Sequence, residues 1–305
     1  MRLVSYLDAT GDDRAGIVRG DAIIDLVFWG RAARRTLPQT LNNLIEMGPE
    51  GLDGARAALE AAGDYPIGSN GILPLAGTKL TAPIPNPRRN IICLGRNYVE
   101  HALESAAARG TSTPPPAHPV YFTKATTAIN GPYDPIPYDP AFSTEIDWEV
   151  ELGVIMGAGG RNIPEERAME HVFGYTVIND VTARDLQNRH LQWHLGKSFD
   201  GSCPMGPWIV TADELPDPHN LRITLRVNGV TKQDSNTSKL IFNIPTCIAV
   251  YSRGITLQPC DIIATGTPEG VGYARKPPEF LKPGDVVESE VEGIGVMRNP
   301  VGVRE

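Results

Sequence analysis

A chain of 305 residues, 41% hydrophobic and 21% charged, fits a globular protein of one large domain or two modest ones, and it argues against a disordered chain or a coiled coil. The net charge of −8 and the lack of basic runs exclude nucleic acid as a partner. No apolar stretch is long enough to span a membrane and the first residues are charged, so we expect a cytoplasmic protein without a signal peptide or a membrane partner.

Residues 1–82 are expected to form a small α+β domain. Apolar and polar residues alternate in two places, which favours short strands, and helical spacing follows. The segment is predicted to contain two antiparallel strands and two amphipathic helices, near residues 3–7, 22–26, 41–45 and 54–62. Three prolines within residues 81–90 indicate a linker to the larger part, residues 90–305.

Short apolar runs separated by Gly, Pro and Asp dominate the larger part and indicate strands. We predict strands at residues 120–124, 147–156, 173–179, 208–211, 221–228 and 286–291. Helical patterns are fewer, at residues 99–109, 182–193 and 242–252. This distribution favours an α+β fold with an antiparallel or mixed β-rich sheet over alternating βαβ units.

The four cysteines are Cys93, Cys203, Cys247 and Cys260. They are far apart in sequence and form no C-x-x-C motif, so neither a zinc site nor a disulfide framework is indicated. We expect reduced, buried thiols.

Residues 147–155 alternate acidic and apolar side chains. Because the side chains of a strand repeat with period 2, Asp147, Glu149 and Glu151 are expected to share one face. Such a face is either exposed to solvent or lines a site in which a cation offsets the repulsion between the acids. Ligation by oxygen alone would select Mg²⁺, Mn²⁺ or Ca²⁺ over zinc.

A second acidic segment is predicted to be a strand that ends near Asp180, followed by a helix that Thr182 caps with Asp185 as its capping-box partner. An aspartate at a strand end either presents its carboxylate to a ligand or forms a turn, and both interpretations stay open. On the helix, Arg184 and Gln187 are three residues apart and share a face, toward a site or toward solvent.

His101 and Glu104 are three residues apart on the helix predicted at 99–109. A carboxylate beside an imidazole orients it and raises its basicity, although pairs of this kind are also common on protein surfaces. Further along the chain, the glycine-rich run 265–272 matches neither a P-loop nor a dinucleotide fingerprint. It is either a small anion-binding turn or a tight loop between strands.

Taken together and in this order, these segments resemble the fumarylacetoacetate hydrolase superfamily over roughly residues 90–305. The resemblance is carried by Gly95-Arg96-Asn97-Tyr98 with His101 and Glu104, Glu149-Val150-Glu151, Asp180 with Thr182-Ala183-Arg184-Asp185, Lys197-Ser198-Phe199, and Thr265-Gly266-Thr267-Pro268. It implies a catalytic domain built as a β-rich mixed-sheet roll or sandwich. Residues 1–82 resemble the small extra domain of bacterial members.

The resemblance also implies a divalent metal, Mg²⁺ or Mn²⁺ with Ca²⁺ as a further candidate, held by Glu149, Glu151 and Asp180. It implies that His101 and Glu104 activate water on a mobile lid and that Lys197 stabilises an oxyanion. The expected substrate contacts are Lys124, Arg184, Gln187, Gly266 and Thr267. Larger eukaryotic members add an aspartate upstream of the histidine, whereas residues 93–98 contain no acid here, so the site resembles the three-carboxylate version.

A three-carboxylate metal site suits a small-molecule 2-oxo acid, because the metal chelates the carboxylate and the adjacent ketone and stabilises an enolate. We expect hydrolysis of a C–C bond in a 2,4-dioxo acid such as an acylpyruvate, in the catabolism of aromatic compounds or sugar acids. The alternative is decarboxylation or tautomerisation of oxaloacetate, or isomerisation or hydration of unsaturated oxo acids.

A metal-dependent binding protein without turnover is the rival hypothesis from outside the enzymes. The presence of both His101 and Glu104 argues against it, because a binding protein needs neither. We also expect a homodimer, because members of the family pair and a strand-rich chain must cover its sheet edges.

Overall fold

Short strands separated by turns make up most of the regular structure. The computed structural model describes residues 1–303. Its strands are β1 (Arg2–Leu7), β2 (Asp13–Arg19), β3 (Ala22–Asp25), β4 (Ile72–Pro74), β5 (Ile91–Gly95), β6 (Val120–Lys124), β7 (Ile129–Asn130), β8 (Ile136–Tyr138), β9 (Ile146–Asp147), β10 (Val150–Met156), β11 (Val172–Asn179), β12 (Thr182–Ala183), β13 (Cys203–Thr211), β14 (Arg222–Val227), β15 (Val230–Asn236), β16 (Ile262–Ala264), β17 (Val286–Val291) and β18 (Gly295–Val303). The helices are α1 (Leu26–Ala32), α2 (Leu41–Glu46), α3 (Pro49–Ala62), α4 (Val99–Ala108), α5 (Arg184–Arg189), α6 (His194–Lys197) and α7 (Ile244–Ser252).

The strands form one large mixed sheet and a smaller second sheet. The large sheet has the order β4-β3-β2-β1-β13-β11-β10-β16-β5-β6, and the second has the order β15-β14-β17-β18-β8. Most neighbours are antiparallel, but β16 pairs with β5, β18 with β8, and β7 with β13 of the large sheet in parallel. The α+β, mixed-sheet fold class predicted from the sequence is therefore confirmed.

The N-terminal segment continues the same sheet as the rest of the chain. Strand β1 pairs antiparallel with β13, with Arg2 opposite Val210. Apolar residues of the N-terminal helices, such as Leu41, share a buried cluster with Ile178 and Ile209 of the central strands. The large sheet and this buried cluster both contain residues from either side of the predicted linker. The division into domains at residues 1–82 and 90–305 stays a prediction.

Strands β10 and β11 are buried on both faces, which places them at the centre of the fold. Val150 and Leu152 belong to the cluster that packs toward the second sheet, where Ile223 lies. Ile155 and Ile178 belong to the cluster on the opposite face. The ends of these two central strands carry the acids expected to bind metal.

Two predicted elements differ from the structure. The strand expected at 147–156 is interrupted after Asp147, because the N–H groups of Trp148, Glu149 and Val150 donate to side-chain oxygens of Asp147, Asn179 and Gln233. The helix expected at 182–193 begins at Arg184 instead, because Thr182 pairs with Asp147 in a short two-stranded ladder. Thr182 does not cap this helix, so the capping-box prediction is wrong. The elements that were not predicted include helix α1 and strands β2, β5, β15, β16 and β18.

The four cysteines are all buried and unpaired, as the sequence indicated. Within residues 1–303, no helix combines the length and the apolar character that crossing a membrane requires.

Candidate active site

Three acids meet where β10 and β11 lie side by side. Glu149 precedes β10, Glu151 lies within it, and Asp180 follows β11 directly. The Asp180 N–H donates to the Glu149 carbonyl at 2.8 Å, which holds the two chain ends together. One carboxylate oxygen from each acid lies within 4.8 Å of the others, and all three side chains are buried. The structure thus brings together the three residues that the family resemblance implied as metal ligands.

The environment of Glu151 fits a cation in this cluster. Its Oε2 accepts a hydrogen bond from Gly266 N–H at 2.8 Å, but its buried Oε1 has no hydrogen-bond partner. Burial, followed by the negative charges of Asp180 and Glu149, raises the pKa of Glu151 well above its ordinary value. A buried carboxylate oxygen without a partner is costly, and a hard divalent cation held by oxygen atoms would satisfy it.

Two lysines lie against the same acids. Lys197 Nζ is 2.8 Å from Glu149 Oε2 and 2.6 Å from Asp180 Oδ2. Burial opposes the charged form of Lys197, but Asp180 and Glu149 outweigh it and raise the lysine pKa above its ordinary value. Lys124 Nζ lies 2.7 Å from Asp180 Oδ1. Lys197 is therefore a permanent cation beside the triad, and Lys124 anchors one of its members.

Arg184 links the triad to a fourth acid. Its guanidinium lies 2.7 Å from Glu149 Oε1, and its Nε donates to Asp147 Oδ2 at 2.8 Å. Asp147 also accepts from the N–H groups of Gly272 and Tyr273. Asp147 is not one of the three acids whose carboxylate oxygens cluster, and the strand is interrupted after it, so the prediction that one continuous strand carries Asp147, Glu149 and Glu151 on one face is wrong.

The charges of this buried cluster balance only while Glu151, whose pKa is raised, keeps its proton. With Glu151 ionised, four carboxylates face three cations, and all seven residues are at most 5% exposed, namely Asp147, Glu149, Glu151 and Asp180 with Lys124, Arg184 and Lys197. Burial of an excess negative charge is unfavourable. A divalent cation would reverse the sign of the excess and leave the site attractive to an anion.

Helix α4 carries the predicted acid–base pair. His101 Nδ1 lies 3.6 Å from Glu104 Oε2, and its Nε2 lies 3.5 Å from Ser105 Oγ. Both carboxylate oxygens of Glu104 accept from Gly270 N–H at 3.1 Å. These hydrogen bonds hold helix α4 against the glycine-rich loop, residues 266–273. The imidazole of His101 is buried.

The glycine-rich loop binds the protein's own carboxylates. Its N–H groups donate to Glu151, Glu104 and Asp147, each from a different glycine. At Gly266 only glycine fits, because φ is +98° and an added Cβ would lie 2.8 Å from Asn97 Cβ. The sequence left open whether this run binds a small anion or is a tight loop. Its N–H groups are used by the protein's own carboxylates, and binding of a ligand anion stays a prediction.

These residues surround a small cavity of about 30 Å³, room for a few water molecules at most. Of the residues predicted for the site, His101, Glu149, Arg184, Gln187, Lys197 and Thr267 are in its wall. The predicted residues outside the wall are Glu104, Glu151, Asp180, Lys124 and Gly266. Lys124 is fully buried and bonded to Asp180, and the N–H of Gly266 is used by Glu151. Sequence reasoning missed Leu94, Gly95, Arg96, Ser105, Arg109, Phe122, Trp193 and Tyr273.

Two of the missed residues add positive charge to the wall. Among residues 1–303, neither Arg96 nor Arg109 has a carboxylate within the 4.0 Å of an ion pair, in contrast to Arg184. Burial and the charge of Arg109 lower the pKa of Arg96. Tyr273 instead covers Arg184, with the guanidinium 4.3 Å from the ring centre. Arg96 lies in a motif that the sequence had singled out, but nothing in the pattern indicated Arg109.

Comparison with known proteins agrees with this geometry. The family model "Fumarylacetoacetate (FAA) hydrolase C-terminal" matches residues 90–302. The chain is 45% identical to a mitochondrial oxaloacetate tautomerase of Xenopus laevis over 306 residues, covering 99% of this chain and 90% of that protein. It is 45% identical to the oxaloacetate tautomerase YisK of Bacillus subtilis over 228 residues, covering 75% of this chain and 74% of the relative.

A solved structure is similar over its full length. Maleylpyruvate hydrolase of Sphingobium sp. SYK-6, in complex with manganese(II) and pyruvate, superposes with a TM-score of 0.75 at 35% identity and 100% coverage of both chains. That complex and the acidic triad both favour a divalent metal in this protein.

The relatives correct one expectation. Hydrolysis of a 2,4-dioxo acid, the main function inferred from the sequence, is wrong, because the relatives at 45% identity are oxaloacetate tautomerases. They agree with tautomerisation of oxaloacetate, one of the reactions given as the alternative. By the family match and by these relatives, the chain belongs to the fumarylacetoacetate hydrolase superfamily of enzymes.

Proposed function

We propose that this protein is a divalent-metal-dependent oxaloacetate tautomerase, which interconverts the keto and enol forms of a 2-oxo dicarboxylate. The observation that carries the proposal is the cavity whose wall brings together Glu149 of the buried carboxylate triad, the imidazole of His101 and the cations Arg184 and Lys197. The tautomerases at 45% identity support the choice of substrate.

Glu149, Glu151 and Asp180 would hold Mg²⁺ or Mn²⁺, since a set of carboxylate oxygens favours hard cations. The manganese complex of the Sphingobium relative supports this assignment. When bound, the ion supplies a Lewis acid that lowers the energy of an enolate.

His101 is the proposed base. Glu104 lies beside Nδ1 and favours the proton on that nitrogen, which leaves the lone pair of Nε2 to accept a proton from C3 of the keto acid. Glu104 also stabilises the imidazolium that forms. Return of the proton to C3 regenerates the keto form, while protonation of the enolate oxygen gives the enol.

The cations of the cavity wall stabilise the negative charges of the substrate and of the enolate. Lys197 and Arg184 carry permanent charge beside the triad, so they stabilise the oxygen on which the enolate charge develops. Arg96 and Arg109 have no carboxylate partner among residues 1–303, and this surplus of positive charge favours a doubly charged substrate. Gln187 is held by Arg184 Nη1 at 3.0 Å and faces the same cavity.

The direct test is the decay of enol oxaloacetate, followed by its ultraviolet absorbance after the enol is dissolved in neutral buffer. We expect acceleration by the protein with Mg²⁺ or Mn²⁺, loss of this activity in chelator, and its return when either ion is added back. In parallel, carbon dioxide release and cleavage of an acylpyruvate should stay at the rate without protein. Full activity after verified metal removal would contradict the metal, and carbon dioxide release faster than tautomerisation would contradict the assigned reaction.

We also propose that the protein is a homodimer. The second sheet ends at β15, whose outer residues, including Val230, are exposed, and an uncovered edge strand invites pairing with another chain. Light scattering at micromolar concentration is expected to give twice the chain mass of 33.0 kDa. A mass of one chain would refute the dimer.

A further inference from the structure

The cavity has one apolar end. The aromatic rings of Phe122 and Trp193 lie together in the wall, and apart from Leu94 the other wall residues with large side chains are charged or polar. The polar end suits the carboxylate and ketone shared by all 2-oxo acids. Any bulky group on C3 of such an acid would therefore have to occupy the apolar end, where contact with carbon is favourable.

Trp193 already fills this end. Its indole packs edge to face on Phe122, with the ring centres 5.3 Å apart. It also lies directly over Gly95, where an added Cβ would be only 2.5 Å from the ring carbon Cζ3. The absence of a side chain at Gly95 is what allows the indole to lie this close, and only about 30 Å³ of cavity remains.

Trp193 is also held by the active-site backbone. Its carbonyl accepts from Lys197 N–H at 3.0 Å, and the Lys197 ammonium lies 5.1 Å from the centre of the Phe122 ring. The backbone of Trp193 is thus fixed at the start of the short helix α6, which carries a cation of the site.

We propose that Trp193 sets the upper size limit of the substrate: its indole, seated on Gly95, admits short 2-oxo acids and rejects those with an aryl group on C3. This inference rests on the proposed function and adds the residue that determines specificity. A smaller side chain at position 193 would leave the apolar end empty, and aromatic 2-oxo acids could then bind.

The test compares tautomerisation of oxaloacetate and of phenylpyruvate, a 2-oxo acid with a phenyl group on C3, by the metal-loaded protein and by Trp193→Ala. We expect kcat/KM for phenylpyruvate to rise roughly 10- to 100-fold, the gain from burying one aromatic ring. For oxaloacetate we expect a change of less than about tenfold. Trp208→Ala, at a half-buried tryptophan outside the cavity, is the matched control for Trp193→Ala and should leave the ratio of the two values unchanged.

A double-mutant cycle with Gly95→Ala tests the packing itself. In the wild type, the new methyl group must displace the indole, and we expect kcat/KM for oxaloacetate to fall by about tenfold or more. In the Trp193→Ala background the same change should alter it less than twofold, because the obstructing ring is gone. Equal losses in both backgrounds would overturn the proposed contact.

Failure of the inference is distinguishable from failure of the proposed function. If the wild type tautomerises oxaloacetate but Trp193→Ala gains nothing on phenylpyruvate, the size limit is refuted and the function stands. If the wild type tautomerises neither acid, calorimetry of the metal-loaded protein with pyruvate and phenylpyruvate decides instead. Tighter binding of phenylpyruvate to Trp193→Ala alone would then support the size limit, and unchanged binding would refute it.

Discussion

Replacing Asp180 with asparagine is expected to abolish tautomerase activity and to lower the free energy of unfolding by about 3–5 kcal/mol. Asp180 is completely buried and is the carboxylate that pairs with both Lys124 and Lys197. Without its charge, one buried ammonium keeps only backbone carbonyls and the other keeps Glu149, and breaking a buried ion pair from one side costs about this amount. The same change removes one of the three proposed metal ligands.

Glu151→Gln is the matched variant, since it removes another proposed ligand without leaving a lysine unpaired. The amide oxygen of glutamine still accepts from Gly266 N–H, and the repulsion by Asp180 and Glu149 disappears. We therefore expect activity and metal affinity to fall more than about 100-fold, while the metal-free protein is as stable as the wild type or more stable.

The measurements are urea unfolding in the presence of chelator and calorimetric titration with Mn²⁺. Both variants should bind the ion weakly, but only Asp180→Asn should unfold at lower urea concentration. Equal stability losses would show that the lysines do not depend on Asp180 as the geometry indicates. Wild-type metal affinity in Glu151→Gln would remove this residue from the ligand set.

Replacing His101 with alanine is expected to lower kcat for tautomerisation by roughly 10²- to 10⁴-fold, the usual contribution of a positioned acid or base. Metal affinity should stay within about twofold, because His101 is not a member of the carboxylate triad. His101→Ala thus separates proton transfer from metal binding. Asp180→Asn and Glu151→Gln, in contrast, are expected to impair metal binding and activity together.

Glu104→Gln should lower kcat less, because Glu104 acts through the imidazole, 3.6 Å from its carboxylate. Since the two side chains work as one unit, the double variant should be hardly slower than His101→Ala alone. Stopped-flow decay of the enol and the deuterium isotope effect at C3 measure both expectations. His101 is not the base if the losses of kcat in the two single variants multiply in the double variant. The same conclusion follows if His101→Ala keeps the wild-type rate together with its deuterium isotope effect at C3.

Much of the local structure could be read from sequence patterns. The strand at Val120–Lys124, the strand at Val286–Val291 and helix α4 follow from the period of their apolar residues, which tertiary contacts leave unchanged. The interruption after Asp147 could not be read in this way. It depends on Asn179 and Gln233, distant residues whose side chains take over backbone hydrogen bonds.

For the site, the sequence by itself determined which acids are two residues apart in the chain and which imidazole has a carboxylate three residues along its helix. The order of the motifs along the chain indicated the family. Only the tertiary structure decided that Lys197 and Lys124 lie among the acids, that the glycine-rich loop donates to three carboxylates, and that Trp193 fills the cavity against Gly95. Spacing along the chain specifies neighbours within one element, whereas the charge balance and the size of a buried site depend on side chains that distant segments bring together.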